Sequence, residues 1–364
     1  MKDLFMCLPR FFIDTHVHGR DMLEDYKTTI YQTMKEALLA GIRVLAYMPN
    51  TKPAMVTINV LDRVLDIIND AREMLKISEM QYVYFGVTDN NLDQCEFALQ
   101  REEVIGLKIY PQRENGGGVT TGSIGVVSMR TVLAAMKLAR KYDKVVSVHC
   151  SCPDMFFREK KDTIGGELSY LIRIVMVAKK VPGVKILICH VSNTLSAKYI
   201  IRAHEKFGIN IAMELMPHYL WFDSEGTNWN PCVGREFYHC FNSLRNSLNR
   251  EFLVSLLKTD YSFIFCASDT AVHIEEEKMA GFGGIPSNQE LPAVVVTLAQ
   301  MHGISDERVA DLLAFNQADF LGIPMDRGLV KYRLIEKADD CHYNVGKIIN
   351  PWNGTRLYFP VRVN

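Results

Sequence analysis

The chain has 364 residues, 48% hydrophobic and 23% charged, with a formal net charge of −1. That is the composition of a globular protein, long enough to bury one large core or two modest ones. A charge so near zero leaves no electrostatic footprint for nucleic acid or an anionic membrane surface, so a small-molecule substrate is expected.

The N-terminal stretch Met1-Lys2-Asp3-Leu4-Phe5-Met6-Cys7 carries an acid and too short an apolar core for a signal peptide. Short β-branched or aromatic runs then alternate with segments of helical period. The first run, 11–17, precedes a helix near 28–40 with Ile30, Met34, Ala37 and Leu38 on one face, ended by Gly41. A second strand, 42–49, and a helix, 58–75, lead to a third strand, 81–87. A short helix near 92–100 precedes the fourth strand, 104–110, and a helix over 129–141 feeds the fifth, 145–150. Helix 166–180 and the Pro182-Gly183 turn lead to the sixth strand, 184–191; helix 195–207 and Gly208 lead to the seventh, 209–216. A longer polar insertion and helix 246–258 come before the eighth, 262–268. Beyond it lie helices 294–302 and 306–315 and a final extended segment, 356–363, expected to wrap the barrel.

Strands joined by helices should be parallel. Eight such units in roughly 260 residues predict an α/β fold, a closed (β/α)8 TIM barrel with a C-terminal extension and no sizeable N-terminal β-domain. No Pro/Ser-rich linker divides the chain, so residues 1–364 are expected to form a single domain. No apolar run approaches the ~18 residues of a transmembrane helix. The nine cysteines are scattered and odd in number, without Cys-x-x-Cys spacing, and read as free thiols in a reducing cytoplasm, with a cysteine zinc site as the minor alternative.

In such a barrel, functional groups gather at the C-terminal ends of the strands. His16 and His18 project from one face of the first strand, as half of a metal site or as two unrelated half-buried histidines. Lys108 lies on the fourth strand, His149 ends the fifth, His190 the sixth, and Asp269 the eighth. Five strands thus aim metal-competent groups at one face. Singly, His149 and His190 would read as core histidines and Asp269 as a helix N-cap. A lysine within Ile105-Gly106-Leu107-Lys108-Ile109-Tyr110 must shed its hydration. Desolvation favours an uncharged amine, and an uncharged amine can take up carbon dioxide as a carbamate that bridges two cations.

Several of these stretches, in order, resemble those of the dihydroorotases of the amidohydrolase superfamily, particularly the long-chain type and the dihydroorotase domain of the animal multifunctional pyrimidine-synthesis protein. They include Ile13-Asp14-Thr15-His16-Val17-His18-Gly19-Arg20, Ala46-Tyr47-Met48-Pro49-Asn50-Thr51-Lys52-Pro53 and Gly106-Leu107-Lys108-Ile109-Tyr110. Later come Ile188-Cys189-His190-Val191-Ser192, Met216-Pro217-His218-Tyr219-Leu220, Ala267-Ser268-Asp269-Thr270-Ala271-Val272-His273 and the closing Asn350-Pro351-Trp352-Asn353-Gly354.

The resemblance implies two zinc ions per subunit: His16 and His18 on the more buried, His149 and His190 on the more exposed, carboxylated Lys108 bridging both, and Asp269 on the first. It implies reversible ring closure of N-carbamoyl-L-aspartate to L-dihydroorotate in de novo pyrimidine biosynthesis, with Asp269 as catalytic proton carrier. Arg20 and Asn50 match positions that hold the substrate carboxylate, and Asn242 and His273 match further substrate contacts. It also implies a cytoplasmic homodimer able to associate with other pyrimidine-pathway enzymes. His218 stays open between a supporting role and a cap on the seventh strand. The glycine-rich loop 113–125 stays open between a lid and a surface loop.

The chain departs from the family in places. Cys150-Ser151-Cys152 follows His149 where an acidic residue is usual, and Phe241-Asn242-Ser243-Leu244-Arg245 stands for the common Asn-Pro-Pro-Leu-Arg. Some members replace the bridging lysine by an aspartate in the following loop; loop 112–125 has none, which favours Lys108. Two rival readings remain. One is another cyclic amidohydrolase (dihydropyrimidinase, hydantoinase or allantoinase), against which Arg20 argues because those substrates lack a ring carboxylate. The other is an inactive dihydroorotase-like scaffold, against which the full ligand set argues.

Overall fold

A strand covered on both faces reads as a continuous apolar run, and eight such runs organise the chain. The computed structural model describes residues 4–114, 124–339 and 348–363. After an N-terminal strand β1 (Leu4–Pro9), the eight are β2 (Phe12–Val17), β3 (Ile42–Tyr47), β4 (Tyr82–Gly86), β5 (Val104–Ile109), β6 (Val145–Val148), β7 (Lys185–Ile188), β8 (Ile211–Leu215) and β9 (Ile264–Cys266). They pair in parallel and in chain order. A parallel bridge between Val17 and Thr270 closes the ring, with the His18 amide donating to the Thr270 carbonyl at 2.9 Å. The fold is the predicted (β/α)8 barrel.

Each barrel strand is followed by a covering helix: Ile30–Leu39, Ile58–Leu75, Leu92–Ala98, Met129–Lys141, Ile164–Ala178, Thr194–Phe207, Ser247–Leu256 and Glu290–His302 in turn. Local chemistry sets their ends. Thr29 Oγ1 accepts from the Gln32 amide at 3.1 Å, Asn193 caps Thr194–Phe207, and Gly208 and Gly303 stop their helices at φ of 62° and 66°.

The structure differs from expectation mainly where residues pair across long sequence distances. The last strand is shorter than 262–268. Three short helices, Pro153–Glu159, Pro217–Trp221 and Glu275–Met279, lie beyond the ends of β6, β8 and β9. The segment expected as one helix over 306–315 runs as Asp306–Ala310, a π-helical Asp311–Phe315 and then Asn316–Leu321. The terminal extended segment is β11 (Arg356–Arg362). It joins β10 (Leu329–Ala338) and β1 in an antiparallel three-stranded sheet, of which β1 and β10 were unforeseen. Tyr332 of β10 stacks on Phe12 at 5.8 Å and donates its hydroxyl to the Pro9 carbonyl at 2.9 Å. The sheet therefore sits at the N-terminal end of β2, away from the strand ends that carry the site.

Among the described residues no helix is long and apolar enough to cross a membrane, and the eight described cysteines are free.

Candidate active site

The side chains of His16 and His18 enter the barrel mouth together, their rings 5.3 Å apart. Gly19 follows them because the chain passes hard against β3: a Cβ there would lie 2.7 Å from the Tyr47 ring. Asp269 approaches from beyond β9. Its Oδ1 lies 3.0 Å from His18 Nε2 and 3.3 Å from His16 Nε2. His149 and His190, beyond β6 and β7, complete the cluster, with His149 Nδ1 2.9 Å from His190 Nε2 and the His16 and His190 rings 5.4 Å apart. All five are buried. His190 and Asp269 hold φ values of 38° and 51°. Side-chain-bearing residues rarely adopt that left-handed region, and where they do a site is often nearby.

Burial disfavours the charged form of three of these imidazoles. Burial pushes His18 down to about 4, against the opposing pull of Asp269, and His149 down to about 3, with the Lys108 charge adding to the effect. Burial and then His149 hold His190 well below the ordinary imidazole range. Burial raises Asp269, but His16, His18 and His190 outweigh it and keep the carboxyl ionised far below its usual range. His149 Nε2 and His190 Nδ1 are buried with no hydrogen-bond partner among the described residues. Neutral imidazole nitrogens left bare beside a carboxylate fit divalent metal better than they fit a dry core.

A supporting layer orients the ligands. Glu214 on β8, wholly buried, accepts from His16 Nδ1 at 2.8 Å and from the Thr15 hydroxyl at 2.6 Å. Asn50 Oδ1 lies 2.6 Å from His18 Nδ1. Each contact puts the ring proton on Nδ1 and turns Nε2 toward Asp269. Asp14 takes the backbone amides of His16 and Ser268 at 3.2 and 2.9 Å, tying β2 to the end of β9; burial raises its carboxyl to about 7. Sequence reasoning missed Glu214. Its signal was an acid inside the apolar run Ile211-Ala212-Met213-Glu214-Leu215, where an unpaired carboxylate would be costly.

Lys108 is wholly buried on β5, its Nζ 2.8 Å from Cys189 Sγ and 3.5 Å from Ser147 Oγ. Burial lifts the Cys189 thiol to about 12, so both partners of the amine are neutral. The place of Cys189 was also missed. Strict alternation sends Cys189 and His190 to opposite faces, but the turn at His190 brings both inward. Cys189 Sγ thus lies within 4.8 Å of ligand nitrogens of His16 and His190.

The cluster floors a cavity of about 350 Å³. Arg20, Asn50 and His273 line it as expected, together with Lys27, Phe241 and the glycine-rich turn 280–284. Arg20 is buried, and its Nε has no partner among the described residues. Its Nη2 lies 3.4 Å from His273 Nε2. Burial holds His273 down to about 3, with Glu277 opposing, so that ring is neutral. Asn242 is not part of the lining: its amide donates to buried Glu167 at 3.1 Å, within a network that also holds Ser192 and Arg245. His218, in Pro217–Trp221, is wholly buried, its ring nitrogens unpartnered among the described residues and its pKa lowered to about 4 by burial. Most of the expected lid, 115–123, falls outside the described residues.

An eight-stranded parallel barrel with imidazoles and a carboxylate convergent at its C-terminal rim presents a candidate metal centre where such barrels carry their active sites. The chain belongs to the amidohydrolase family, whose model matches residues 12–332. It is similar to the dihydroorotases of Brevibacillus brevis (25% identical over 342 residues, 86% of this chain and 74% of the relative) and Clostridium botulinum (27% over 317 residues, 87% and 73%). Among solved structures it resembles the Saccharomyces cerevisiae dihydroorotase in complex with 5-fluoroorotic acid, with TM-score 0.81 and 18% identity, covering 99% of this chain and 100% of that one. The L-hydantoinase (dihydropyrimidinase) of Arthrobacter aurescens follows at TM-score 0.78 and 18% identity, covering 98% and 83%. At such identities the likeness is one of fold.

Proposed function

We propose that this chain hydrolyses a cyclic amide, and specifically that it interconverts L-dihydroorotate and N-carbamoyl-L-aspartate for pyrimidine synthesis. The observation that carries the choice of substrate is Arg20: a buried guanidinium whose Nε has no partner among the described residues, on a side chain that lines the cavity floored by the histidine–aspartate cluster. A ring carboxylate suits that donor, and hydantoins and dihydropyrimidines lack one. The names of the curated relatives support the same choice.

In this reading His16, His18, His149, His190 and Asp269, with Lys108 as a carbamate, would hold two zinc ions. Lys108 has only neutral partners among the described residues, so conversion to a carbamate would relieve an uncompensated buried cation. Zinc bound there supplies Lewis acidity and a water-derived nucleophile at neutral pH. The chain's own groups do the rest. Asp269, ionised, accepts the proton of the attacking water and returns it to the departing ring nitrogen. Arg20 grips the carboxylate, neutral His273 stands beside it, and Asn50 keeps His18 in the ligating tautomer. Asn242 keeps its amide nitrogen on Glu167, while its Oδ1 has no partner among the described residues. We read the chain further as one domain acting in the cytoplasm, where its thiols stay reduced.

The test is to measure zinc per chain and turnover on L-dihydroorotate and hydantoin side by side. The expected result is about two zinc ions and turnover of dihydroorotate; activity on hydantoin alone overturns the reading.

A further inference from the structure

The substrate end of the cavity contains a closed ring of side chains that no ligand set requires. Arg20 Nη1 lies 3.4 Å from Glu24 Oε2, and Glu24 Oε1 takes Lys27 Nζ at 2.6 Å. Lys27 Nζ also lies 3.0 Å from Glu277 Oε1, and Glu277 Oε2 takes His273 Nδ1 at 2.9 Å. The Arg20–His273 contact at 3.4 Å closes the circuit. The ring joins the turn after β2 to the helix Glu275–Met279, about 250 residues apart, through a lysine only 1% exposed. Tyr26 donates to Glu277 Oε1 at 2.8 Å, and the exposed Lys52 reaches Glu24 Oε1 at 3.3 Å from outside.

A buried lysine between two carboxylates, with no place among the metal ligands, calls for a reason. We infer that Lys27 is a positioning residue for substrate recognition, holding Arg20 and His273 as one unit by occupying Glu24 and Glu277. This rests on the substrate reading above and deepens it.

Arg20 and Lys27 compete for the Glu24 carboxylate. Arg20 can grip a substrate carboxylate only while its own neighbour does not satisfy it. Glu24 is the nearest carboxylate, and a free Glu24 would take the guanidinium in a two-pronged pair. Lys27, supported by Lys52, commits Glu24 Oε1, which leaves Arg20 a single long contact to Glu24 and an Nε without a partner among the described residues. On the other arm, Lys27 and Tyr26 fix Glu277 so that its remaining oxygen accepts the His273 Nδ1 proton. That leaves Nε2 as an acceptor facing Arg20, the orientation a neutral imidazole needs to sit beside a guanidinium. Both carboxylates are ionised. Burial raises Glu277, but His273, Lys27 and Tyr26 outweigh it and hold it near about 2; burial likewise raises Glu24, and Arg20 and Lys27 outweigh it. Without Lys27 two anions would face each other in a nearly dry space, and each would recruit one of the two groups meant for substrate.

Steady-state kinetics of the full metal-loaded chain on L-dihydroorotate test this, comparing wild type with Lys27→Met, Lys27→Arg and Glu277→Gln. The inference expects KM to rise at least about tenfold in Lys27→Met with kcat within about threefold, zinc content unchanged, and most of the KM recovered in Lys27→Arg. Glu277→Gln cuts only the His273 arm and should raise KM by a smaller factor, about threefold. A merely structural lysine would instead lower the melting temperature and depress kcat and KM without such a split. Should Lys27→Met fail to fold, Lys27→Arg and Glu277→Gln decide: KM at the wild-type value in Glu277→Gln overturns the inference. A wild type active on dihydroorotate with unchanged KM in Lys27→Met removes the inference alone. A wild type active only on hydantoin removes the substrate reading beneath it.

Discussion

The two ends of the cavity are built on different principles. At the metal end, the proposed ligands stand on or just beyond the barrel strands, and buried partners on the same scaffold steady that end, as Glu214 steadies His16 and Asp14 ties β2 to β9. At the substrate end, Arg20 and His273 sit on turns and are held by a chain of charged side chains crossing from one turn to another. A strand fixes a group by its backbone; a turn has to borrow rigidity from ion pairs. Damage at the metal end should therefore abolish chemistry whatever the substrate, while damage at the substrate end should change which molecule is accepted.

The largest effects separate the two ends outright. Chelation should take activity on every cyclic amide to background and lower the melting temperature, since a ligand present at a thousand times its Kd adds about 4 kcal/mol to folding stability. A calorimetric scan with and without chelator, followed by zinc add-back, checks both. Asp269→Asn should cost about 10³-fold in kcat, within the range of a lost proton carrier, and metal analysis must accompany the assay because Asp269 also touches the cluster. If that variant kept a tenth of wild-type turnover, the metal end would not be where the chemistry lies.

Arg20→Ala should lower kcat/KM on dihydroorotate about a hundredfold, the scale of one charge-assisted pair, and leave any residual hydantoin turnover alone. Equal losses on both substrates would erase the distinction between the ends. Glu214→Gln leaves every ligand in place but weakens the acceptor of His16, so metal affinity should fall about ten- to a hundredfold, read by competition with a chromophoric chelator.

The smallest effect per group is on stability. His149, His218 and His273 are buried neutral, with pKa values lowered from 6.5 to about 3, 4 and 3. The unfolded chain therefore binds protons first as pH falls. Their contribution is complete above pH 6.5 and is lost progressively between 6.5 and the folded values, by roughly 1–2 kcal/mol per histidine at pH 5. Urea unfolding of metal-free protein at pH 7.5, 6 and 5 should follow that slope, and a flat profile would mean that these rings are not held neutral.

The same division governs how much could be read before the structure. The barrel and its proposed ligands announce themselves locally: Ile13-Asp14-Thr15-His16-Val17-His18 is strand, periodicity and donor pair within six residues. Lys108, His149, His190 and Asp269 each stand at or near the end of an apolar run, where the barrel architecture says to look. What escaped depended on neighbours far along the chain. Glu214 acquires meaning from His16, 198 residues away. Lys27 reads as one more surface charge until Glu277 is brought against it. Cys189 was hidden by a departure from strand alternation that no propensity foretells, and the Asn242–Glu167 contact by a separation of 75 residues.

The three-stranded sheet has a consequence for how the molecule is made. β1 has Leu4 opposite Leu334, so β1 leaves the ribosome some 330 residues ahead of its partner. The barrel strands can pair with their sequence neighbours as they emerge, whereas the edge of β1 must wait for synthesis to reach β10. Over that interval its exposed backbone is the part of the nascent chain most open to pairing with something else. Docking of β10 and β11 then acts as a late fastening of β1, made only when everything between them has been built.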